Sequence, residues 1–174
     1  LGDVYKRQVR FMTIKAPSFF STTCTPWNLA TPVTNFTQRE PNEGEAARDR
    51  MEVRFLYDDG SLYVGARMYS SQPVQASLTR RDDTGQAEIF AIALDTYLDR
   101  RTAYGFGVTA AGVRVDLFFP TDNQDRTEFD FDPDWQARTV VTEDGWTAEL
   151  RIPFSQLRFN SRDKNVWGLN IMRY

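Results

Sequence analysis

The stretch Gly145–Ile152 reads GWTAELRI and alternates apolar with polar residues over its whole length. The apolar set occupies every second position and consists of Trp146, Ala148, Leu150 and Ile152. Successive side chains of an extended chain point to opposite faces, so this set shares one face. The pattern predicts a β-strand with one buried face and one face in water.

The same period of two recurs in segments before this stretch. It appears in Met51–Tyr57, Ser61–Tyr69, Glu88–Asp95 and Gly112–Phe118. In the last of these segments we expect an inward set and an outward set of side chains. The expected inward set is Val113, Val115 and Leu117, and the expected outward set is Arg114 and Asp116.

Turn signals separate these runs. Asp58-Asp59-Gly60, Ala110-Ala111-Gly112 and Glu143-Asp144-Gly145 each predict a hairpin turn in which glycine supplies the positive φ. The intervals hold no helical crossover long enough for parallel pairing. The sequence therefore predicts an all-β, antiparallel β-sandwich of two sheets, of the jelly-roll or immunoglobulin-like kind. We expect one short helix near residues 155–158 and a loop over Thr37–Arg50.

Composition limits the chemistry. The chain has 174 residues, of which 41% are hydrophobic and 14% aromatic, which is typical of one globular domain. It has no histidine and one cysteine, Cys24, which excludes Ser-His-Asp catalysis, cysteine-built metal sites and an intrachain disulfide. The net charge of -3 argues against nucleic acid as a partner.

We expect the domain to occupy residues 27–174. Residues 1–8 read LGDVYKRQ and resemble a translated adapter, and residues 9–26 form an uncertain, divergent segment. The apolar run Val166–Met172 predicts a strand close to Tyr174, so we interpret the chain as truncated at its C-terminus. No run of 18 apolar residues is present, so we expect no transmembrane helix in this fragment.

Long stretches of the chain resemble one known family. They are PVTNFTQREPNEGEAARDRMEVRFLYDD (Pro32–Asp59), LYVGARMY (Leu62–Tyr69), LTRRDD (Leu78–Asp83), ALDTYLDRRTAYGFGVTAAGVRVD (Ala93–Asp116), GWTAELRIPFSQLRF (Gly145–Phe159) and WGLNIMR (Trp167–Arg173). From Trp27 to Tyr174 the chain resembles the carbohydrate-binding module family 9-like domain. The closer resemblance is to the version at the N-terminus of large bacterial envelope proteins whose C-terminal region has unknown function and is expected to be an outer-membrane barrel.

The resemblance implies a β-sandwich, sugar binding without catalysis, and an extracytoplasmic location that is periplasmic, outer-membrane-associated or secreted. The chain departs from the family where characterised members contact sugar. Thr84-Gly85 stands where a tryptophan precedes the acidic strand, Ala91 replaces a polar residue in that strand, and Gly107 replaces an arginine in the next strand. A second sugar-clamping tryptophan of the family falls beyond the residues present.

The candidate carbohydrate-binding residues are the acid, the charged loop and the rings that carry sugar-recognition chemistry: Glu88, Arg80, Arg81, Asp82, Trp135 and Tyr97. Stacking requires an aromatic surface, and hydroxyl groups require planar polar partners. Each candidate has a structural alternative. Glu88 is open to a salt bridge, the charged loop to simple solvation, and Trp135 to packing. Trp146 and Trp167 are predicted to be core residues, and Asp99-Arg100-Arg101 a turn with local ion pairs.

Carboxylates give no catalytic pair. Glu88 and Asp95 are seven residues apart on one strand, an odd spacing that points them to opposite faces. A glycosidase needs two carboxyl groups facing one bond, about 5–9.5 Å apart. We therefore predict no catalytic residue in this strand.

The densest acidic segment is Asp122–Asp134, and its weak candidates for metal ligands are Asp122, Asp125, Asp130 and Asp132. It fails the EF-hand pattern, because Trp135 and Val141 stand where glycine and a bidentate glutamate are needed. Two alternatives stay open: a solvated acidic loop, or a structural calcium ion, which relatives in the resembled family carry. No cofactor is required.

Three hypotheses for function follow. The leading one is a non-catalytic module that binds a polysaccharide or oligosaccharide for a larger secreted or outer-membrane protein in carbohydrate catabolism. The second is a structural or periplasmic interaction domain that contacts a downstream domain of the same parent chain and has no sugar site. The third, which the sequence supports least, is a part of an O-glycosyl hydrolase.

Overall fold

The computed structural model describes residues 3–6, 12–13, 26–121, 127–160 and 165–174. The strands of this part of the chain are β1 (Asp3–Lys6), β2 (Met12–Thr13), β3 (Met51–Tyr57), β4 (Ser61–Tyr69), β5 (Ile89–Asp95), β6 (Ala103–Thr109), β7 (Arg114–Phe119), β8 (Gln136–Thr142), β9 (Gly145–Pro153) and β10 (Gly168–Arg173). Short 3₁₀ helices span Pro26–Leu29 and Phe154–Gln156. None of the described helices is long and apolar enough to cross a bilayer.

The strands form two five-stranded sheets that pack face to face. The front sheet has the order β1-β10-β5-β6-β7, and the back sheet has the order β2-β3-β4-β9-β8. Neighbouring strands pair antiparallel, except that β2 and β3 are parallel. The predicted antiparallel β-sandwich is therefore confirmed.

The period of two correctly identified the strands that carry it. All five alternating segments are strands, and the apolar run before Tyr174 is β10. Strands β6 and β8 do not show this alternation clearly and were not predicted. The helix expected near residues 155–158 is observed as one 3₁₀ turn at Phe154–Gln156. This turn follows directly after Pro153, the last residue of β9.

The core lies between the sheets and contains the aromatic residues that were expected there. Trp146 is fully buried and Trp167 is 7% exposed. Trp146 packs with the alternating apolar residues of β3, β4 and β9 in one cluster. The predictions that both tryptophans are core residues are confirmed.

The expected orientation of β7 was wrong. Asp116 pairs with Phe106 and Phe118 pairs with Tyr104, and both aromatic partners belong to the core. Cross-strand partners share a face, so Asp116 points into the sandwich and Val115 and Leu117 point outward. Both faces of β7 carry apolar residues, and alternation alone could not distinguish them.

The hairpin turns differ in how they use glycine. Gly112 and Gly145 have φ of 85° and 140°, as expected. Gly60 does not have a positive φ, so this part of the expectation was wrong. Instead, Asp58 Oδ1 accepts hydrogen bonds from the backbone N–H groups of Gly60 and Ser61, each at 2.8 Å, which closes the turn.

Some sequence predictions concern residues outside the described ranges. These residues are Cys24 and the metal candidates Asp122 and Asp125. Strand β1 lies within the segment that we predicted to derive from an adapter. That prediction concerns the origin of these residues and stays a prediction.

Candidate functional site

A cleft of about 1170 Å³ lies on the outer face of the front sheet. The register of the strands places small side chains in the middle of its floor. Ala91 pairs with Gly107 and Ala93 pairs with Gly105, all on the face opposite the core residues Phe90 and Ile92. These small residues keep the middle of the floor low, with the side chains of Leu117 and Ile89 packed against Gly105 and Gly107, so the sheet forms a trough along β5 and β6.

Larger side chains form the walls on the two flanking strands. On β10 these are Asn170, opposite Ala93, and Met172, opposite Ala91. On β7, Leu117 lies opposite Gly105 and Val115 opposite Gly107. From Ile89 to Asp95 the trough is about 20 Å long, at about 3.3 Å per residue.

Two loops form the ends of the cleft. The loop before β5 contributes polar residues at the Ile89 end, including Asp82, Thr84 and Gln86. The loop between β5 and β6 contributes Arg100, Arg101 and Thr102 at the Asp95 end. The cleft therefore combines an apolar floor with polar ends, which suits a ligand with one apolar face and a polar perimeter.

Two carboxylates hold the loop between β5 and β6 in place. The Asp95 oxygens accept hydrogen bonds from the backbone N–H groups of Asp99 (3.1 Å) and Arg100 (2.8 Å). Asp99 Oδ1 accepts from the backbone N–H groups of Arg101 (2.7 Å) and Thr102 (2.8 Å), and Oδ2 accepts from the Thr102 hydroxyl (3.0 Å). The expected turn is present. The expected ion pairs are not found among the described residues, because Asp99 binds backbone N–H groups instead.

Acid should loosen this loop. Burial opposes ionisation of Asp99, but the hydrogen bonds from Thr102 and Arg101 outweigh it and hold the pKa below 3.8. The stabilisation is therefore present above pH 3.8 and lost as the pH falls through the lowered pKa. We expect the backbone amide shifts of Arg101 and Thr102 in NMR spectra to titrate with a midpoint below pH 3.8. A midpoint above 3.8 would contradict this assignment.

Several predicted site residues meet around a buried acid instead of at the cleft. Asp116, which is 1% exposed, accepts hydrogen bonds from Arg81 Nη2 at 2.9 Å to each carboxylate oxygen and from Trp135 Nε1 at 2.8 Å. Asp82 Oδ1 accepts from the Asp116 backbone N–H at 3.0 Å. Asp132 forms an ion pair with Arg81 at 2.5 Å. We call this group the Asp116 cluster, and of its members only Asp82 also lines the cleft.

Trp135 is not a surface ring. It is 1% exposed and packs edge-to-face on Phe106, with ring centroids 5.4 Å apart. The interpretation of Trp135 as a stacking platform was wrong, because the buried Asp116 supplies a partner for its indole N–H. Nothing in the local sequence indicated that partner, since Asp116 was expected to face water.

Glu88 lies on the interior side of the front sheet. Its Oε2 accepts hydrogen bonds from Trp146 Nε1 at 3.0 Å and from Arg173 Nη2 at 2.8 Å. Asp95 lines the cleft on the other face, which confirms that the two carboxylates point to opposite faces. The ion pair with Arg173 matches the structural alternative for Glu88.

The exposed rings at the cleft are ones that sequence reasoning missed. Phe129 is 58% exposed and Tyr174 is 44% exposed, and both line the cleft. Tyr97 is also 44% exposed, but neither Tyr97 nor Arg80 lines the cleft. The signal for Tyr174 was its even spacing from Met172 and Asn170. Tyr174 follows β10 and its backbone still pairs with Ile89, so all three side chains lie on the outer face.

The described part of the acidic segment shows no metal site. Among the described residues no three Asp, Glu or Cys side chains are grouped closely enough to hold an ion. Asp132 is engaged by Arg81, and Asp130 is exposed. The calcium hypothesis also concerns Asp122 and Asp125, so it stays a prediction.

The comparison with solved structures shows the fold. One family 9 carbohydrate-binding module from Caldicellulosiruptor kristjanssonii, in complex with glucose, superposes with a TM-score of 0.60 at 16% sequence identity, covering 92% of this chain and 85% of that chain. Another such structure from the same organism, in complex with cellotriose, gives a TM-score of 0.54 at 17% identity, covering 92% and 82%. No family model and no curated protein matches the sequence. The chain therefore has the β-sandwich fold of the family 9 carbohydrate-binding modules.

Proposed function

We propose that the chain is a non-catalytic saccharide-binding module and that the cleft on the front sheet is its binding site. The observation that carries this proposal is the trough along β5 and β6, whose floor is apolar and whose ends are polar. A pyranose ring has an apolar C–H face and a perimeter of hydroxyl groups, and it matches this arrangement. The structural neighbours bind glucose and cellotriose, which supports a saccharide as the ligand class.

The carboxylates of the cleft support binding without catalysis. Asp82 and Asp95 line opposite ends of the trough. Each accepts backbone hydrogen bonds, Asp82 from Asp116 and Asp95 from Asp99 and Arg100. Cleavage of a glycosidic bond requires two carboxyl groups flanking the same bond, one of them free to donate a proton.

The wider context of the domain is also part of the proposal. We propose that it serves a larger extracytoplasmic protein, secreted or associated with the outer membrane, that takes part in carbohydrate catabolism. The support is the resemblance of Pro32–Asp59 and the later stretches to domains at the N-terminus of large bacterial envelope proteins. The downstream part of such a parent chain would then be the second partner of the domain.

Isothermal titration calorimetry with glucose, cellotriose and xylotriose tests the proposal. We expect micromolar or weaker dissociation constants, which correspond to a binding free energy of about −8 kcal/mol or a weaker one. Tyr174→Ala removes an exposed ring from the cleft and should weaken binding about tenfold, because aromatic contacts contribute about 0.5–1.5 kcal/mol beyond buried area.

Tyr97→Ala is the matched control. Tyr97 has the same exposed fraction as Tyr174, 44%, but lies outside the cleft, so we expect its loss to leave affinity unchanged. The two variants also decide whether the sugar contacts Tyr97, the ring predicted from the sequence, or Tyr174, the ring that lines the cleft. An affinity that falls with Tyr97→Ala and not with Tyr174→Ala would move the site away from the trough.

One observation favours a second candidate, a structural interaction domain without a sugar site. The floor residues Ala91, Ala93, Gly105 and Gly107 offer no side-chain hydrogen bond, and no tryptophan among the described residues lines the cleft. An apolar segment of the parent protein would also fit this floor. The absence of any heat of binding with all three sugars would favour this candidate.

A further inference from the structure

We propose that the ligand of the cleft is a saccharide carrying an anionic group, and that Arg100 and Arg101 bind that group. The inference rests on the proposed saccharide function and names its ligand class. It begins from the ionisable side chains that line the cleft, because the acids have hydrogen-bond partners and the arginines have no ion-pair partner among the described residues. The acids among them, Asp82 and Asp95, already accept hydrogen bonds from backbone N–H groups.

The two arginines form no ion pair with the described part of the chain. No carboxylate oxygen of the described residues lies within 4.0 Å of a guanidinium nitrogen of Arg100 or Arg101. Both residues are exposed, adjacent in sequence and on the same end of the cleft. Two guanidinium groups without an ion-pair partner among the described residues therefore lie at the end of the trough where the Asp95 carboxylate is already hydrogen-bonded to backbone N–H groups, and together they form a site for an anion.

The backbone that carries these arginines is held in an unfavourable conformation. Leu98 and Arg100 have φ of 54° and 60°, in the left-handed region that is unfavourable for a residue with a side chain. The hydrogen bonds to Asp95 and Asp99 hold the loop in place against this cost. A fixed loop loses little entropy on binding, and a guanidinium fork matches the oxygens of a carboxylate or sulfate.

The floor of the cleft has few polar side chains, so the charge of a saccharide should determine how tightly it binds. The central rows of the trough offer the neutral hydroxyl groups of a sugar almost no side-chain partners, with Asn170 as the polar group beside Ala93. An anionic group on the sugar therefore adds the strongest contact that the cleft provides. The anionic group should lie toward Arg100 and Arg101, because the opposite end of the cleft is lined by Asp82 and by no arginine of the described residues.

The test compares ligands with one backbone and different charge. Cellotriose, its uronate analogue with carboxylates at carbon 6, and 6-O-sulfated cellotriose are titrated by calorimetry at low and high salt. We expect at least one anionic trisaccharide to bind the wild-type chain at least tenfold more tightly than cellotriose at low salt. The better of the two identifies the group as carboxylate or sulfate, and the preference should shrink at high salt.

Variants then locate the effect. The double variant R100Q/R101Q should bind all three trisaccharides within about threefold of one another. Arg48→Gln removes an exposed arginine away from the cleft and should keep the full preference, which separates local contacts from net charge. If the wild-type chain binds cellotriose as tightly as both anionic ligands, the inference is wrong and the proposed function stands. If no trisaccharide binds, both are wrong.

Discussion

Replacing Arg81 with methionine should lower the free energy of unfolding by about 3 kcal/mol. The carboxylate of Asp116 is 1% exposed, and Arg81 is the cation that faces it. Removal of one partner leaves a buried charge without compensation, which typically costs about 3–5 kcal/mol. We expect the lower end because Arg81 is 35% exposed, so that water can partly replace it. Equilibrium unfolding in urea, followed by far-UV circular dichroism, measures the change.

The neighbouring residue provides the control. Arg80→Met makes the same substitution one position earlier, at an exposed side chain outside the Asp116 cluster, and should change stability by less than about 0.5 kcal/mol. Asp116→Asn in the Arg81→Met background removes the uncompensated charge and should recover part of the loss. A loss below 1 kcal/mol for Arg81→Met would show that the cluster contributes little to folding.

Gly145→Ala should be about as damaging, again by about 3 kcal/mol. Gly145 has a φ of 140°, and a Cβ atom there would lie 2.0 Å from the carbonyl oxygen of Met68 on the neighbouring strand. A residue with a side chain must both adopt a disfavoured φ and displace backbone atoms of β4. Each of these costs about 1–3 kcal/mol.

Two other glycines separate the cost in stability of a positive φ from the cost of a steric clash at the added Cβ atom. Gly44→Ala meets no atom within 4 Å but has a φ of 86°, so it should cost only the backbone term of about 1–2 kcal/mol. Gly60→Ala has neither problem, since its nearest contact is Asp58 Oδ1 at 3.7 Å, and should leave stability nearly unchanged. Thermal unfolding of the three variants should rank them in this order. Equal losses at Gly145 and Gly44 would mean that the contact with Met68 is relieved cheaply.

The fold could be predicted wherever one face of a strand is apolar and the other polar. Strands β3, β4 and β9 have this character, and the sequence identified each of them. Strand β6 reads AYGFGVT, and its alternating glycines are unfavourable in a strand by propensity, so it was missed. Strand β8 has exposed residues on both faces near its end, including Val140 and Val141, and gives no clear period of two.

The candidate site could not be predicted, because its residues carry no chemical signature. The cleft is built from alanine and glycine on the outer face of β5 and β6, and small residues there look like an absence of function. The charged loop Arg80–Asp83 was predicted to bind carbohydrate instead, yet Arg81 forms an ion pair with the buried Asp116. Arg100 and Arg101 were interpreted as a turn with ion pairs. The structure shows that the carboxylates of Asp95 and Asp99 accept hydrogen bonds from backbone N–H groups instead of pairing with these arginines.

The placement of the tryptophans has a practical consequence for spectroscopy. All four indoles lie away from the cleft: Trp27 packs on the outer side of the back sheet, and Trp135, Trp146 and Trp167 belong to the core. If a saccharide binds in the cleft as proposed, the tryptophan emission spectrum should therefore stay constant during the titration. A fluorophore attached near the rim, or a tyrosine-selective probe, would report occupancy that indole emission does not.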